Sequence, residues 1–497
     1  IRYTFGIPGT HNIELYDALG DSKLVTPVLI TDEQSAGFMA DGLWRATGQL
    51  GCVNIVPGAG LTHALSGIAE AFMDGVPMLV LGCGIRRDVR RGYQLHDIDQ
   101  LAIAAPITKA RFRPASGAEL YSAVRDACAL ARSGTPGPVM VEVSVDLYLT
   151  RHEVDPSQWT APAPLPVPHA TNEQVRRAVE LLTAVGAKPL FYVGLGAQGA
   201  GGELVTLAER LDAPVATTIQ GKGVFPETHP LFLWNGFGTA APSFVRDIAA
   251  ECTVTLAIGC RFSEVGTGSY GLSIPGPLIH VDINGEVFNR NYPAELGIVS
   301  DAREFVLALL ANINQPASRP ATQPAASALR QSIATGHAGV RAAWLEGKSK
   351  ARVTPWILLE AIHRIFGADT VFTTDSGNGT FLAMECLRLP QPGRFLAPVD
   401  YSCMGYSVPA AIGAAIGRPG APVVALAGDG AFLMTGLELL TAASLGVPVA
   451  VFVLRDRELA QIAQFQSTTF NRRVASILPD FHVGSIAEAV GVEWLAL

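Results

Sequence analysis

Apolar residues in this chain gather in short unbroken runs, and longer segments of helical period separate the runs. Runs at residues 25–30, 51–56, 77–81, 138–143, 423–427 and 449–454 predict buried strands. A further strand-like stretch, IRYTFG, opens the chain. Buried strands alternating with amphipathic helices are the signature of an α/β fold with parallel sheets. The pattern predicts three doubly wound parallel-sheet domains, at residues 1–150, 171–314 and 349–497. Two Pro-rich stretches, 155–170 and 313–328, carry too many ring-locked residues to form an element and read as linkers.

Composition narrows the function classes. A length of 497 residues suits about three domains, and 49% hydrophobic against 16% charged residues suits a large buried core with oligomer interfaces. The net charge of −8 and the absence of a Lys/Arg run leave no electrostatic footprint for nucleic acid or for an anionic membrane surface. No apolar run reaches membrane-spanning length. The seven cysteines form no CxxC pair and are mostly flanked by apolar residues, which reads as reduced core thiols in a cytoplasmic protein.

Candidate chemistry concentrates in residues 421–466. A buried strand runs into the turn Gly428-Asp429-Gly430, an apolar helix follows from Ala431, and a second strand ends at Arg455-Asp456. Parallel strands place both carboxyl ends on one edge, where open α/β sheets bind ligands. The glycines allow tight turning and close approach, and Asp429 and Asp456 are hard oxygen ligands. Two carboxylates beside an anion-binding turn suit Mg²⁺ bridging to a diphosphate. A plain strand-to-helix turn capped by Asp429 is the alternative.

The unit resembles the thiamine-diphosphate motif of the acetolactate synthase and 2-oxo acid decarboxylase superfamily, in which Gly-Asp-Gly is followed one strand later by Asn-Asn. The resemblance implies metal ligation by Asp429, by Asp456 in place of the second Asn, and by the carbonyl of Glu458, with Gly428, Gly430 and Ala431 around the diphosphate. Upstream, Asn378 falls in the segment that opens the phosphate cradle. Ser402 falls where a carbonyl receives the cofactor's amino group, and Met404 where an apolar residue bends the cofactor into its V shape.

A second motif sits in the first domain. Glu33, Gln34, Ala36, Met39, Ala40, Gly42, Arg45 and Gly48 match the superfamily's His-Glu-Gln-x-Ala-x-x-Met-Ala-x-Gly-x-x-Arg-x-x-Gly signature, with Asp32 in place of His. The resemblance makes Glu33 the acid that hydrogen-bonds the aminopyrimidine and favours its imino tautomer. Read alone, Asp32 is a helix N-cap and Glu33 a first-turn acid. Next, Gly58, Gly60 and Thr62 match the loop Ser-Gly-Pro-Gly-Ala-Thr-Asn, with His63 replacing Asn. Gln94 and Lys109 fall on the Gln and Lys of a segment that reads Phe-Gln-Glu and Pro-Ile-Thr-Lys in acetolactate synthases, and Phe465 stands in place of Trp. Gln94, Lys109, His63 and Phe465 are therefore the implied pocket residues, while Leu95 and His96 depart from the pattern and point to a different substrate.

The central segment carries Gly194, Gly196 and Gly199 in GxGxxG spacing, but the stretch that follows ends in Thr-Thr-Ile-Gln rather than an acid, which disfavours NAD. In acetolactate synthases this domain holds FAD in a structural role, and in relatives it is empty or binds another nucleotide, so FAD is left open. The resemblance thus implies pyrimidine-binding, central and diphosphate-binding domains and a homodimer or homotetramer with active sites between subunits. It implies a thiamine diphosphate and Mg²⁺ enzyme acting on a 2-oxo acid by acetolactate synthase-like carboligation after decarboxylation. A non-ligating decarboxylase or C–C lyase is the alternative, and a non-catalytic cofactor-binding homologue is a third reading, prompted by Arg455-Asp456 and Gly379-Thr380.

Overall fold

In the computed structural model, which describes residues 1–89, 91–153, 155–163, 165–313, 327–346 and 353–496, the strands form three sheets. The first holds β1 (Tyr3–Gly6), β2 (Thr26–Leu29), β3 (Gly51–Ile55), β4 (Met78–Gly84), β5 (Ala110–Phe112) and β6 (Pro138–Ser144) in the order β2-β1-β3-β4-β6-β5, all parallel. The second holds β7 (Pro189–Val193), β8 (Val215–Thr217), β9 (Phe232–Asn235), β10 (Val254–Ile258), β11 (Leu278–Asp282) and β12 (Leu296–Val299) in the order β12-β11-β10-β7-β8-β9, again parallel. The third holds β13 (Val371–Thr374), β14 (Phe395–Leu396), β15 (Val423–Gly428) and β16 (Ala450–Leu454) in the order β14-β13-β15-β16, with β13, β15 and β16 parallel.

Every expected strand is present with its bounds shifted by a few residues; the largest shift is β4, which runs on to Gly84. Central strands such as β3, β6 and β10 are buried along their whole length, which is why they read as unbroken apolar runs. Among its described residues the first linker contains a single short 3₁₀ turn, Pro156–Gln158, and no strand. Most of the second linker, and the expected start of the third domain, lie outside the described residues. No described helix is long and apolar enough to cross a membrane.

The strand orders fix where ligands can enter. In each sheet the chain first builds to one side and then returns to the other, so a crevice opens at the carboxyl ends of β1 and β3, of β7 and β10, and of β13 and β15.

The chain forms two compact units. One comprises Ile1–Leu165, Asp369–Thr380 and the chain from Leu396 onward; the other comprises Pro166–Ala368 and Phe381–Phe395. In the first unit the helix Glu33–Thr47 crosses the helix Ser407–Gly417 at glycines. A Cβ on Gly42 would lie 2.1 Å from the Ala410 carbonyl oxygen, and one on Gly413 would lie 2.0 Å from that of Met39. A buried ion network ties these helices to the helix Ala59–Asp74. Arg45 bonds Asp41 at 2.7 Å and Asp74 at 2.7 Å, and the Tyr406 hydroxyl donates to Asp41. In the second unit Lys222 is buried and donates to Glu227 at 2.7 Å, to Asn235 and to the carbonyls of Met384 and Leu387, which pins residues 381–395 to the central sheet. Burial pulls its pKa down to about 8.

Candidate active site

Glu33 is the first residue of its helix, and Asp32 caps that helix by accepting from the Gln34 N–H at 2.8 Å. The strand end before it is anchored from far away in sequence. The Glu438 carboxylate, fully buried, accepts from the Thr31 N–H at 3.1 Å and from its hydroxyl at 2.7 Å, and Thr441 donates to the same group at 2.6 Å. Glu33 is thus delivered to the β1/β3 crevice by a cap on one side and a buried carboxylate on the other.

The loop after β3 approaches Glu33 through its glycines. A Cβ on Gly60 would lie 2.8 Å from Val56 and 3.6 Å from Glu33 Oε1; Gly58 is left-handed (φ 62°), and a Cβ there would lie 3.0 Å from the His96 carbonyl oxygen. At the start of the second turn of the helix Ala59–Asp74, His63 Nδ1 stands 3.3 Å from Glu33 Oε2. His96, itself left-handed at φ 65°, packs edge-on against His11 with ring centroids 5.4 Å apart. Burial, and then the charge of His96, lower the pKa of His11.

At the β13/β15 crevice three acids behave differently. Asp375 is buried and spent inward. One oxygen accepts from the Gly405 N–H at 2.7 Å, and the other from the Ser407 N–H at 2.9 Å and its hydroxyl at 2.7 Å. It therefore organises the 402–407 loop rather than facing a ligand. Asp429 accepts one backbone bond on each oxygen, from Gly430 at 2.9 Å and Arg457 at 2.8 Å, which leaves a lone pair on each. Burial, and the charges of Asp429 and Glu458 beside it, raise the pKa of Asp456. Arg455 does not offset this charge, because its guanidinium is turned to Asp480 and the Phe481 carbonyl.

A Cβ on Gly428 would meet nothing within 4 Å, while one on Gly430 would lie 2.7 Å from Leu459 and 3.6 Å from the Met404 methyl group. The crevice is thus open above Gly428 and walled by Met404. Ser402 is left-handed (φ 64°) and its hydroxyl bonds that of Ser376 at 2.8 Å. Asn378 begins the helix Asn378–Cys386, and Ala431 lies buried in the helix Asp429–Thr435. Two neighbouring carboxylates with an open space beside them fit a divalent cation that also holds phosphate oxygens. Among the described residues no three His, Cys, Asp or Glu side chains group as a metal site, so such a cation would need a carbonyl, phosphate or water to complete its shell. The Glu458 side chain pairs with Arg473 at 2.5 Å, leaving its carbonyl as the candidate ligand.

The remaining expected pocket residues separate. Lys109 is taken out of the pocket. Its N–H bonds the carbonyl of Pro138 at the start of β6, and its ammonium caps a helix end at the Leu130 (2.7 Å) and Ser133 carbonyls, so it sits at the amino edge of the sheet, opposite Glu33. Gln94 folds back on the carbonyls of Arg86 and Val89. Phe465 and Leu95 are exposed, at 58% and 65%.

Sequence reasoning did not find Glu438, or the pair Glu70 and Asp74 on the helix Ala59–Asp74. Glu70 accepts from the Cys403 N–H at 2.9 Å, and Asp74 from those of Val399 and Asp400, so these two acids hold the loop that carries Ser402 and Met404. An acid at each of two positions one helical turn apart, in an apolar helix, was the only local signal.

The central crevice offers no comparable cradle. The Gly194 N–H bonds the Ile258 carbonyl at 2.9 Å, the Gly196 N–H bonds that of Gly259 at 3.0 Å, and a Cβ on Gly194 would lie 2.1 Å from Gly259 oxygen. Gly194 and Gly196 serve backbone packing, and their N–H groups are not left for a nucleotide pyrophosphate.

Comparison with known proteins matches residues 1–103 to the N-terminal TPP binding domain, 175–309 to the central domain and 375–496 to the C-terminal TPP binding domain of thiamine pyrophosphate enzymes. A probable acetolactate synthase large subunit of Methanocaldococcus jannaschii is 32% identical, covering 99% of this chain and 84% of its own. A probable 2-ketoarginine decarboxylase of Pseudomonas aeruginosa is 34% identical over 92% of this chain and 80% of its own. The large subunit of acetolactate synthase isozyme 3 of Escherichia coli is 30% identical over 99% and 86%.

Proposed function

Because the chain belongs to the thiamine pyrophosphate enzyme family, we propose that it is a thiamine diphosphate and Mg²⁺ dependent enzyme that decarboxylates a 2-oxo acid. The observation that carries this reading is the pairing of an acid at one crevice, Glu33, with the Asp429 and Asp456 edge at another. Asp429, Asp456 and the Glu458 carbonyl would hold the metal, the open turn at Gly428 would take the diphosphate, and Met404 would wall the ring system. Glu33 would hold a proton against the aminopyrimidine. When bound, the cofactor supplies a carbon nucleophile and an electron sink for the bond broken beside the 2-oxo group.

The resemblance to this family supports a homo-oligomer in which the two halves of a site come from different subunits. For the two-carbon or longer fragment left after CO₂ loss, the first reading is capture by a second 2-oxo acid, as the acetolactate synthase relatives suggest. Protonation to an aldehyde is the second reading, and the histidines His11, His63 and His96 around the β1/β3 crevice favour it.

The test is proton NMR of quenched reactions with pyruvate and with 2-ketoarginine, using protein loaded with Mg²⁺ and thiamine diphosphate. Acetolactate supports ligation, an aldehyde supports protonation, and Glu33→Gln should lower either by about 10²–10⁴-fold while still binding cofactor. Protein that binds no cofactor, or a Glu33→Gln variant of full activity, overturns the proposal.

A further inference from the structure

Either fate of the substrate consumes one proton for each CO₂ released. A 2-oxo carboxylate plus H⁺ gives an aldehyde and CO₂; two such carboxylates plus H⁺ give one hydroxy-oxo carboxylate and CO₂. That proton comes from water, yet the Glu33 side chain is only 12% exposed in the chain, against 66% for the His63 side chain beside it. Tyr16 also feels Glu33, but among the described residues its buried hydroxyl has no partner and burial holds it protonated, so it opens no path outward.

We propose that His63 is the proton conduit of this site, passing protons between water and the Glu33 carboxylate. This rests on the reading of Glu33 as the cofactor-facing acid. Nδ1 stands 3.3 Å from Glu33 Oε2, and the other ring nitrogen, on the far side of the imidazole, makes no hydrogen bond among the described residues. In the inward step the Nδ1–H bond breaks as an O–H bond forms on Glu33, and Nε2 takes a proton from a hydronium ion. The ring ends in the opposite tautomer and returns to the first by exchanging protons with water; the outward step is the reverse. The backbone serves this contact, since Gly60 lets the first turn of the helix Ala59–Asp74 come against Glu33 without a side chain between them. The ring is too exposed to be explained by core packing.

The test reads proton movement rather than turnover. Exchange of the thiazolium ring's carbon-bound proton into D₂O would be followed by quenched-flow NMR in the Mg²⁺ and thiamine diphosphate loaded wild type, Glu33→Gln, His63→Ala and His63→Asn. We expect His63→Ala and His63→Asn to slow exchange about tenfold or more, with cofactor affinity changed less than about twofold and added imidazole restoring the rate of His63→Ala. In cofactor-free protein the ¹⁵N shifts of the His63 ring should move toward the other tautomer in Glu33→Gln. Exchange in His63→Ala within about twofold of wild type, or ring shifts indifferent to Glu33→Gln, overturns the conduit. Glu33→Gln exchanging as fast as wild type overturns the reading of Glu33 instead.

Discussion

The central and C-terminal sheets present the same local pattern, a buried strand running into a glycine-rich turn at a point where strand order reverses, and they use it in opposite ways. At the end of β7, Gly194 and Gly196 spend their N–H groups on the carbonyls of Ile258 and Gly259 at the end of β10, and backbone fills the space a side chain would take. At the end of β15, Gly428 faces nothing within 4 Å, and the neighbouring acid Asp429 keeps lone pairs free. Glycine spacing therefore separates these two turns poorly. What separates them is whether the opposite strand end delivers backbone or leaves a gap, and whether acids line that gap.

The largest effect should come from the acid itself. Asp429→Ala should weaken Mg²⁺-dependent thiamine diphosphate binding by about 100-fold or more, as loss of a metal ligand exceeds the 10–100-fold typical of outer partners; calorimetric titration checks it. A crossed pair then tests the comparison directly. Gly194→Ala forces a Cβ to within 2.1 Å of Gly259 oxygen and should lower the melting temperature by about 3–10 °C, the cost of overpacking a fixed backbone, without changing cofactor affinity per folded molecule. Gly428→Ala should leave melting within about 2 °C and weaken the cofactor about tenfold, because its methyl group enters only ligand space. If the two variants swap behaviours, the assignment of the two crevices is reversed.

Much of this contrast was hidden in the sequence. Strands were legible because burial on both faces writes itself as unbroken apolar runs, whereas Glu33 read alone is a first-turn acid and Asp429 a turn cap, and only the family resemblance singled them out. The signature around Glu33 is largely a packing device: Gly42 meets Ala410, Arg45 is buried between Asp41 and Asp74, and Gly48 is a left-handed cap. Lys109 shows the converse, since its polar neighbours are carbonyls of a helix end that no local pattern announces. Glu438, Glu70 and Asp74 act on residues hundreds of positions away, and such contacts depend on two helices crossing at glycines.

Glu70 also explains what keeps the C-terminal crevice open, since it grips the Cys403 N–H beside Ser402 and Met404. Burial, and then the charge of Asp74, push its pKa up to about 9. In the unfolded chain an ordinary glutamate loses its proton near pH 4.3. Between these values the unfolded state binds fewer protons, so the stability this group contributes is present below pH 4–5 and is lost as pH rises toward about 9. Glu70→Gln cannot ionise and keeps an acceptor for Cys403. Its melting temperature should match wild type at pH 5 and exceed it by about 2–4 °C at pH 8; a wild type that melts higher at pH 8 would show that the charged form is the one the fold uses.

The smallest effect concerns the departure that sets this chain apart from the Asn-Asn pattern. Asp456 adds a negative charge beside the space for a diphosphate, and Arg455 is committed to Asp480 and so does not relieve it. A bound Mg²⁺ would offset part of that charge, which leaves a modest residual repulsion toward phosphate oxygens. Asp456→Asn removes the repulsion and keeps an oxygen ligand, so thiamine diphosphate should bind about two- to fivefold more tightly at pH 8, a difference below about 1 kcal/mol. Burial and the charges of Asp429 and Glu458 raise the proton affinity of Asp456, so on acidification it becomes a neutral acid before an ordinary aspartate would. The advantage of Asn should therefore shrink as pH falls, and titrations at pH 8 and pH 5.5 decide it. A gap that widens at low pH would mean that Asp456 holds the metal more strongly than it repels the phosphate, making the extra carboxylate an asset of this crevice.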